Sequence, residues 1–357
     1  MDNYQIGGRL LATGSKSCIF TPNIPCKTDK KHDKKQIKKT KISKIIYGPK
    51  SKQLIKQEKK INNRIKKIKN HKQWSLIYDI YCKPDEYDKL LHFDKDIKKC
   101  FKNTVNGNDI QDFNKHSVML IGDYGGITYE THFEKKFKNI INFKTLRKEF
   151  LKLMKMMEPL FIGLETLQQH KIVHKDIKYN NIVVHKNVFK YIDFGLSSNL
   201  SDTNHFKTRS LNEFNTQRIY LWYPLEYIFY AAGNMDLNKE LTNVYSNNTR
   251  RGHELFVELH NMFDRDINEI YYNVITKIQN KSYKHIDIFK KIDVYSLGIM
   301  VPLLFLTKTK IPYPFNHDEC VFDFYQLFGD MSEPDLEKRI DGKEAFKLYH
   351  KIMKKYS

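Results

Sequence analysis

The pattern of apolar and polar positions divides the chain into a strand-rich first part and a helix-rich second part. Residues 1–20 predict two short strands around a loop, and ISKIIYG (42–48), WSLIYDIYC (74–82) and SVMLI (117–121) predict three more. The polar segment between the last two predicts a loop or a short helix. After Gly126 the pattern turns helical, with one long helix over residues 143–170 that Pro159 is expected to kink or break. Residues 181–192 predict a hairpin.

A charged helix is predicted directly after the third strand, over SKQLIKQEKKINNRIKKIKN (51–70). Its apolar positions and one carboxylate fall on a single stripe, at spacings of three and four residues. The stripe consists of Leu54, Glu58, Ile61, Ile65 and Ile68. A carboxylate within an apolar face needs a partner when it is buried. The alternative is a glutamate at the solvated edge of the helix that neighbouring lysines serve.

The charge of the chain is strongly positive, with a formal net charge of +21 over 357 residues. Such a charge predicts an anionic partner, but a lysine-rich composition without a specific partner explains it equally well. The 21–41 segment concentrates lysines without periodicity and predicts an exposed loop. The longest apolar run, Ile299–Leu306, is far shorter than the roughly 20 residues that span a bilayer. We therefore expect a soluble, intracellular protein that does not contact membranes.

The cysteines are five in number and widely spaced, and no two form a Cys-x-x-Cys pair. This spacing supports neither a zinc site nor a disulfide framework, so a reducing compartment is expected. The first residues show no basic segment followed by an apolar one, and therefore no signal peptide is predicted.

The candidate chemistry lies around the predicted hairpin. The segment IVHKDIKYNNIVV (172–184), followed by YIDFGLS (191–197), brings Asp176, Lys178, Asn181 and Asp193 close together in sequence. Two carboxylates and an amide can bind magnesium and accept a proton, and a lysine can neutralise phosphate. Phosphoryl transfer requires such a set, because positioning and charge stabilisation supply most of its catalysis.

These motifs resemble those of the eukaryotic-type protein kinases. HKDIKYNN (174–181) is similar to their H-R-D-L-K-x-x-N loop, Asp193-Phe194-Gly195 matches D-F-G, and KIDVYSLGIM (291–300) resembles the start of their large-lobe central helix. The resemblance implies that Asp176 accepts the substrate proton and that Lys178 lies near the transferred phosphoryl group, as in Ser/Thr kinases. It implies that Asn181 and Asp193 hold Mg²⁺. Asp293 would bind the catalytic-loop backbone.

The same resemblance gives roles to the strand-rich part. ISKIIYG is similar to the V-A-I-K strand, so Lys44 would bind the ATP phosphates and pair with Glu58. ATGSKSCIF (12–20) fails the Walker template but aligns with the kinase glycine loop. There the expected ATP-binding residues are Ala12, Gly14, Ser15 and Ile19, with Ser17 in place of the last glycine. Lys175 replaces the usual arginine of the catalytic loop, which makes control by a phosphorylated activation loop less certain.

The hinge of the kinase fold is expected in SVMLIGDYGG (117–126). Backbone groups of Asp123, Tyr124 and Gly125 would meet adenine, and Gly122 would leave a back pocket open. The implied fold is α+β and bilobal, a single kinase domain over 1–357. Its N-lobe is expected at 1–122 with the lysine-rich insert 21–41, and its hinge and C-lobe at 123–357 with an insert at about 227–289.

The activation segment would run from Asp193 to Glu226, where LWYPLEY (221–227) is a degenerate A-P-E motif. Its candidate phosphorylation sites are Ser197, Ser198, Ser201, Thr203, Thr208, Ser210 and Thr216. The inserts look most similar to those of kinases encoded by large DNA viruses. That similarity would place the protein in the host cytoplasm or the virion.

The resemblance implies an ATP- and Mg²⁺-dependent Ser/Thr kinase that acts on a protein substrate. The alternative is a weak or inactive kinase-fold scaffold that binds a partner through its inserts. A small-molecule phosphotransferase is disfavoured by Lys178 and by the activation-segment motif. Nucleic acid binding stays open, but no motif supports it. The oligomeric state does not follow from the sequence.

Overall fold

The computed structural model describes residues 9–14, 17–27, 38, 40–93, 95–101, 107–215, 220–232, 250–311 and 318–356. The chain divides into two compact units. The first, called here the sheet unit, is Met1–Gly126 with Asp193–Gly195, and the second, the helical unit, is Ile127–Ile192 with Leu196–Ser357. Because one unit is built around a β-sheet and the other mainly from helices, the predicted α+β class is confirmed.

The sheet unit contains one five-stranded antiparallel sheet in the order β1-β2-β3-β5-β4. Its strands are β1 (Arg9–Thr13), β2 (Ser17–Thr21), β3 (Lys41–Ile46), β4 (Tyr78–Cys82) and β5 (Val118–Asp123). The central strand β3 places Lys44 opposite Ile19 of β2 and Leu120 of β5. The predicted strands are therefore present, although β4 is shorter than the apolar run that predicted it.

Helix α1 (Ser51–Lys66) follows β3 and buries much of the predicted stripe. Glu58, Ile61, Ile65 and Ile68 are buried, but Leu54 is 42% exposed, and Ile55 is buried in its place. The prediction for Leu54 was wrong because the buried face begins one residue later: Ile55 lies three residues before Glu58 and shares its side of the helix. Glu58 is 1% exposed, so it does not lie at a solvated edge.

The segment between β4 and β5 is helical and forms part of the core. It contains α2 (Tyr87–Phe93), a 3₁₀ helix (Lys95–Cys100) and α3 (Gly107–His116). Tyr87, Phe101 and Phe113 pack together at ring-centroid distances of 5.6–6.0 Å. They belong to one buried cluster with residues of β2, β3 and β5. These aromatic side chains cover one face of the sheet.

Two disulfides join elements of the sheet unit, Cys18–Cys100 and Cys26–Cys82, with Cα atoms 5.5 Å and 5.9 Å apart. The expectation of no disulfide framework was therefore wrong. The paired cysteines are 82 and 56 residues apart in sequence, so tertiary folding rather than local spacing brings them together. The inference of a reducing compartment loses its basis, because disulfides persist in oxidising environments. Cys320 is buried and unpaired.

The helical unit consists mainly of helices, which differ widely in length. They are α4 (Tyr129–Phe137), α5 (Phe143–Gln169), α6 (Thr203–Asn215), α7 (Leu225–Phe229), α8 (Arg250–Asn261), α9 (Ile267–Gln279), α10 (His285–Lys308), α11 (Glu319–Met331) and α12 (Gly342–Tyr356). Helix α5 is continuous through Pro159, so of the expected kink or break the break is absent, and the kink stays a prediction. Helix α10 is buried along most of its length. None of the helices within the described ranges has the length and apolarity to cross a membrane.

Two short antiparallel ladders complete the helical unit. Strands β6 (Ile172–Val173) and β9 (Ser198–Asn199) pair with each other, as do β7 (Ile182–His185) and β8 (Val188–Tyr191). Lys186 and Asn187 form the turn of the second pair, and both have positive φ. A two-residue turn of this kind matches the right-handed twist of a hairpin. The predicted hairpin is confirmed, and it follows directly on the candidate catalytic loop.

Candidate active site

An ion cluster lies inside the sheet unit. Lys44 Nζ of β3 is 2.7 Å from Asp193 Oδ1 and 3.7 Å from Glu58 Oε2 of α1. Lys44 and Glu58 are 6% and 1% exposed. The pair expected between Lys44 and Glu58 is therefore present, and Asp193 joins it. One lysine shared by two carboxylates can present a fixed positive charge to a phosphate.

The protonation of this cluster follows from its burial and its charges. Burial lowers the pKa of Lys44, but Asp193 and Glu58 outweigh that effect, so its pKa lies above the ordinary value. Burial raises the pKa of Glu58, and Lys44 opposes the rise only in part. Lys44 consequently stays an ammonium group at neutral pH. Glu58 is the group whose charge is most sensitive to mild acid.

Backbone geometry beside Asp193 allows the close approach of these groups. Asp193 has φ of 60°, in the left-handed region, where non-glycine residues are uncommon. A Cβ on Gly195 would lie 3.1 Å from Asp193 Oδ1 and 3.3 Å from Glu58 Oε2. The Gly195 amide donates to Asp193 Oδ1 at 3.3 Å. A glycine at 195 thus leaves room for both carboxylates.

Tyr78 fills the space beside Gly122, so among the described residues of the sheet unit no open back pocket lies at this glycine. The two residues are paired across β4 and β5, and a Cβ on Gly122 would lie 3.1 Å from Tyr78 Cδ1. The Tyr78 ring is buried, with its centroid 5.8 Å from Lys44 Nζ. Glycine at 122 admits the tyrosine from the neighbouring strand. The sequence did not reveal this because the two positions are far apart along the chain.

The candidate glycine loop joins β1 and β2. The Gly14 amide donates to the Ser17 carbonyl at 2.7 Å, and a Cβ on Gly14 would lie 2.7 Å from Ser17 Oγ. Ala12 pairs with Ile19 across the two strands. Ser15 lies outside the described residues. A side chain at position 14 would therefore have to displace the Ser17 hydroxyl.

The candidate hinge follows β5. Asp123 pairs with Lys41 through a 2.6 Å contact between Oδ1 and Nζ, and the Tyr124 amide donates to the Thr40 carbonyl at 2.8 Å. Side chain and backbone therefore both tie this segment to β3. Gly125 follows directly, and the adenine-binding role of these residues stays a prediction.

The catalytic-loop residues meet inside the helical unit. Lys178 Nζ lies 2.8 Å and 3.0 Å from the two carboxylate oxygens of Asp176. The Asn181 amide nitrogen donates to Asp176 Oδ2 at 2.6 Å and to its backbone carbonyl at 2.9 Å. These contacts fix the Asp176 carboxylate from two sides. The Asn181 amide oxygen takes part in neither of these two hydrogen bonds, and amide oxygens are among the ligands that Mg²⁺ accepts.

A buried aspartate on α10 holds the backbone of the loop. Asp293 Oδ2 accepts from the His174 amide at 2.6 Å, and its Oδ1 accepts from the Lys175 amide at 2.8 Å. This confirms the predicted contact between Asp293 and the catalytic loop. Burial raises the pKa of Asp293, although both backbone amides oppose the rise. The contacts support the left-handed backbone of Lys175, which has φ of 64°.

The side chain of Lys175 points to α6, which lies in the predicted activation segment. Its Nζ lies 2.7 Å from His205 Nδ1 on α6. Burial lowers the pKa of Lys175 to about 7 and that of His205 to about 4, so a neutral imidazole accepts from the lysine. Lys175 therefore has a hydrogen-bond partner in the chain without phosphorylation of the predicted activation segment.

Several supporting residues could not be found from the sequence. Tyr220 lies 3.5 Å from both Asp176 Oδ1 and Lys178 Nζ through its hydroxyl, and Tyr223 donates to the Lys175 carbonyl at 2.8 Å. No motif singles out these tyrosines. Their position just before Pro224 was the only signal. Glu226, expected from the degenerate motif, pairs with buried Arg339 at 2.6 Å.

A family model described as "protein tyrosine and serine/threonine kinase" matches residues 104–246. The match covers the catalytic loop and Asp193, but not Lys44, Glu58 or Asp293. The match, which spans less than half of the chain, supports a protein kinase-like protein. With the sheet unit and the helical unit described above, the bilobal protein-kinase-like fold is confirmed. No curated protein matches the sequence.

Proposed function

We propose that the protein is a serine/threonine kinase that transfers the γ-phosphate of ATP to protein hydroxyls. The observation that carries this proposal is the fixed Asp176 carboxylate, which Lys178 and Asn181 hold at 2.6–3.0 Å. A proton acceptor for a hydroxyl needs a defined orientation. The lysine beside it can neutralise charge that develops on the transferred group.

Each unit supplies one part of this chemistry. In the sheet unit, Lys44 binds the α- and β-phosphates of ATP and Glu58 keeps the lysine in place. In the helical unit, Asp176 orients the substrate hydroxyl and accepts its proton. Asp193 and Asn181 each offer an oxygen ligand for Mg²⁺, which when bound neutralises phosphate charge.

The remaining ATP contacts are assigned to the loop and hinge. Gly14, with Ala12, Ser15 and Ile19 around it, approaches the phosphates through the backbone. Backbone groups of Asp123, Tyr124 and Gly125 meet adenine. We retain the single-domain organisation with inserts at 21–41 and about 227–289, and the similarity of those inserts to viral kinases.

We retain a location in the host cytoplasm or the virion, which rests on the similarity of the inserts to those of viral kinases. The two disulfides disfavour a strongly reducing compartment. A protein whose cysteines are oxidised during maturation fits both the location and the disulfides.

The second candidate function is a weak or inactive scaffold. The observation that favours it is the degenerate glycine loop. Ser17 stands there in place of a glycine and restricts the backbone conformations of the loop. The presence of Lys44, Asp176 and Asp193 in ordered contacts favours an active enzyme instead.

Substitution of Lys44 tests the ATP site. Lys44→Met should weaken ATP binding in calorimetry by about ten-fold or more, because it removes a buried charge from the phosphates. Lys52→Met, at an exposed position of α1, is the matched control and should bind as the unsubstituted protein does. Equal ATP affinity in all three proteins would refute the assigned site. Phosphoamino acid analysis of the product then distinguishes Ser/Thr from Tyr.

A further inference from the structure

A large groove lies inside the helical unit, beside the activation segment. Its volume is about 760 Å³, within the range of ligand-binding clefts. Its walls come from α6, the 3₁₀ helix Tyr230–Ala232, the end of α9 and the start of α10. None of the residues that line the groove belongs to the proposed catalytic site, so the groove is a separate surface.

The charge of this groove is of one sign. Lys207, Lys281 and Lys284 line it and are exposed, and no lining residue among those described carries a carboxylate. In the described part of the chain, none of the three lysines has an ion-pair partner. Lys277, one turn before Lys281, shows the contrast: it pairs with Asp335 and with a second carboxylate, and it does not line the groove.

The groove also offers apolar and aromatic surface between its charges. Leu211 is 38% exposed, and Tyr230 and Tyr283 contribute aromatic side chains to the lining. A small anion would use the lysines only. An extended peptide in which acidic and apolar side chains alternate would use both kinds of surface, because successive side chains of an extended chain point to opposite sides.

The groove is coupled to the catalytic loop through short contacts. His285 lines it and lies 3.1 Å from Thr203 Oγ1 at the start of α6. Lys207 follows His205 by two residues, and His205 contacts Lys175, the neighbour of Asp176. A peptide in the groove would therefore contact the same helix that holds Lys175, the neighbour of Asp176.

We propose that this groove docks an acidic segment of the protein substrate, rich in Asp and Glu with apolar residues between them. This docking role rests on the proposed kinase function, because the docked segment belongs to the kinase substrate. Binding of the segment can nevertheless be measured without catalysis. Charge complementarity raises the rate of association and the selectivity for the acidic partner. A substrate that carries an acidic segment apart from its target hydroxyl would place the segment in the groove and the hydroxyl at Asp176.

The test uses the full chain and a fluorescein-labelled peptide of alternating Glu and Leu residues around one Ser. Lys207→Glu/Lys281→Glu/Lys284→Glu should weaken binding in fluorescence anisotropy about ten-fold or more. The same change at three exposed lysines of α12, Lys343, Lys351 and Lys354, controls for net charge. Binding to the unsubstituted protein should also weaken when salt rises from about 50 to about 300 mM.

The outcomes separate docking from catalysis. Peptide binding that depends on the groove lysines, without phosphate transfer, would support docking and contradict the kinase function. Phosphate transfer together with equal peptide affinity in both triple variants would overturn the docking proposal. Single-stranded DNA that binds the groove more tightly than the peptide would overturn it as well. If the triple variant does not fold, single Lys→Gln variants at the same three positions repeat the test. Their summed effect on peptide affinity should again be a loss.

Discussion

Lys175 provides a quantitative test of the catalytic-loop geometry. The residue is 1% exposed, and its ammonium group contacts His205. Burial lowers its pKa from 10.5 to about 7, because the raising effects of Asp293 and Asp202 are smaller and Arg209 adds to the decrease. The folded protein therefore holds a charge that the unfolded chain solvates better.

The sign and size of the effect follow from linkage. Between pH 7 and 10.5 the unfolded chain binds more protons at Lys175 than the folded protein, so folding stability rises with pH. The slope reaches at most about 1.4 kcal/mol per pH unit. From pH 7 to pH 9 the gain from this one group is on the order of 2 kcal/mol. Below pH 7 the whole cost of the buried charge is present.

The assay is urea unfolding at pH 7, 8 and 9 for the unsubstituted protein and for Lys175→Met. The variant lacks the titrating group, so its stability advantage should be largest at pH 7 and shrink by about 2 kcal/mol at pH 9. Lys148→Met, at an exposed position of α5, should not change the pH dependence. Parallel pH profiles for the unsubstituted protein and Lys175→Met would refute the buried ammonium.

Three further predictions concern the sheet unit. Tyr78→Ala should destabilise it by roughly 3–5 kcal/mol through the cavity left beside Gly122, whereas Tyr78→Phe should cost only about 1 kcal/mol; equal losses in thermal unfolding would contradict the packing. Cys18→Ser should lower stability by roughly 2–4 kcal/mol, because the disulfide to Cys100 closes a long loop, and an unchanged urea midpoint would argue that the bond does not form. Ser17→Gly should preserve or improve ATP affinity in calorimetry, and a large loss would show that the glycine loop is misplaced.

The sequence predicted most of the fold because its apolar patterns are local. The strands, α1, α5 and the hairpin each carry their own periodicity or turn residues. The sequence left a kink or a break at Pro159 open, because sequence pattern does not show whether packing retains a helix around a proline: α5 is continuous there and has buried residues on both sides of it. Tertiary packing overrides such a local preference.

The candidate site was predictable where its residues are close in sequence. Asp176, Lys178 and Asn181 meet because one short loop carries them. The cysteine pairs, the Tyr78–Gly122 contact and the Lys175–His205 contact join residues brought together only by folding. Sequence spacing does not predict such contacts, and the resemblance to protein kinases did not imply them.

The central claim is that Asp176 is the proton acceptor of an ATP-dependent transfer to protein hydroxyls. The most direct measurement compares transfer of labelled phosphate from ATP and Mg²⁺ to a protein substrate by the unsubstituted protein and Asp176→Asn. The control is Asp264→Asn at an exposed position with positive φ, which asparagine also tolerates. We predict a loss of about a hundred-fold or more in Asp176→Asn alone, with ATP binding retained. Equal transfer by Asp176→Asn, or no transfer by any of the proteins although they bind ATP, would contradict the claim.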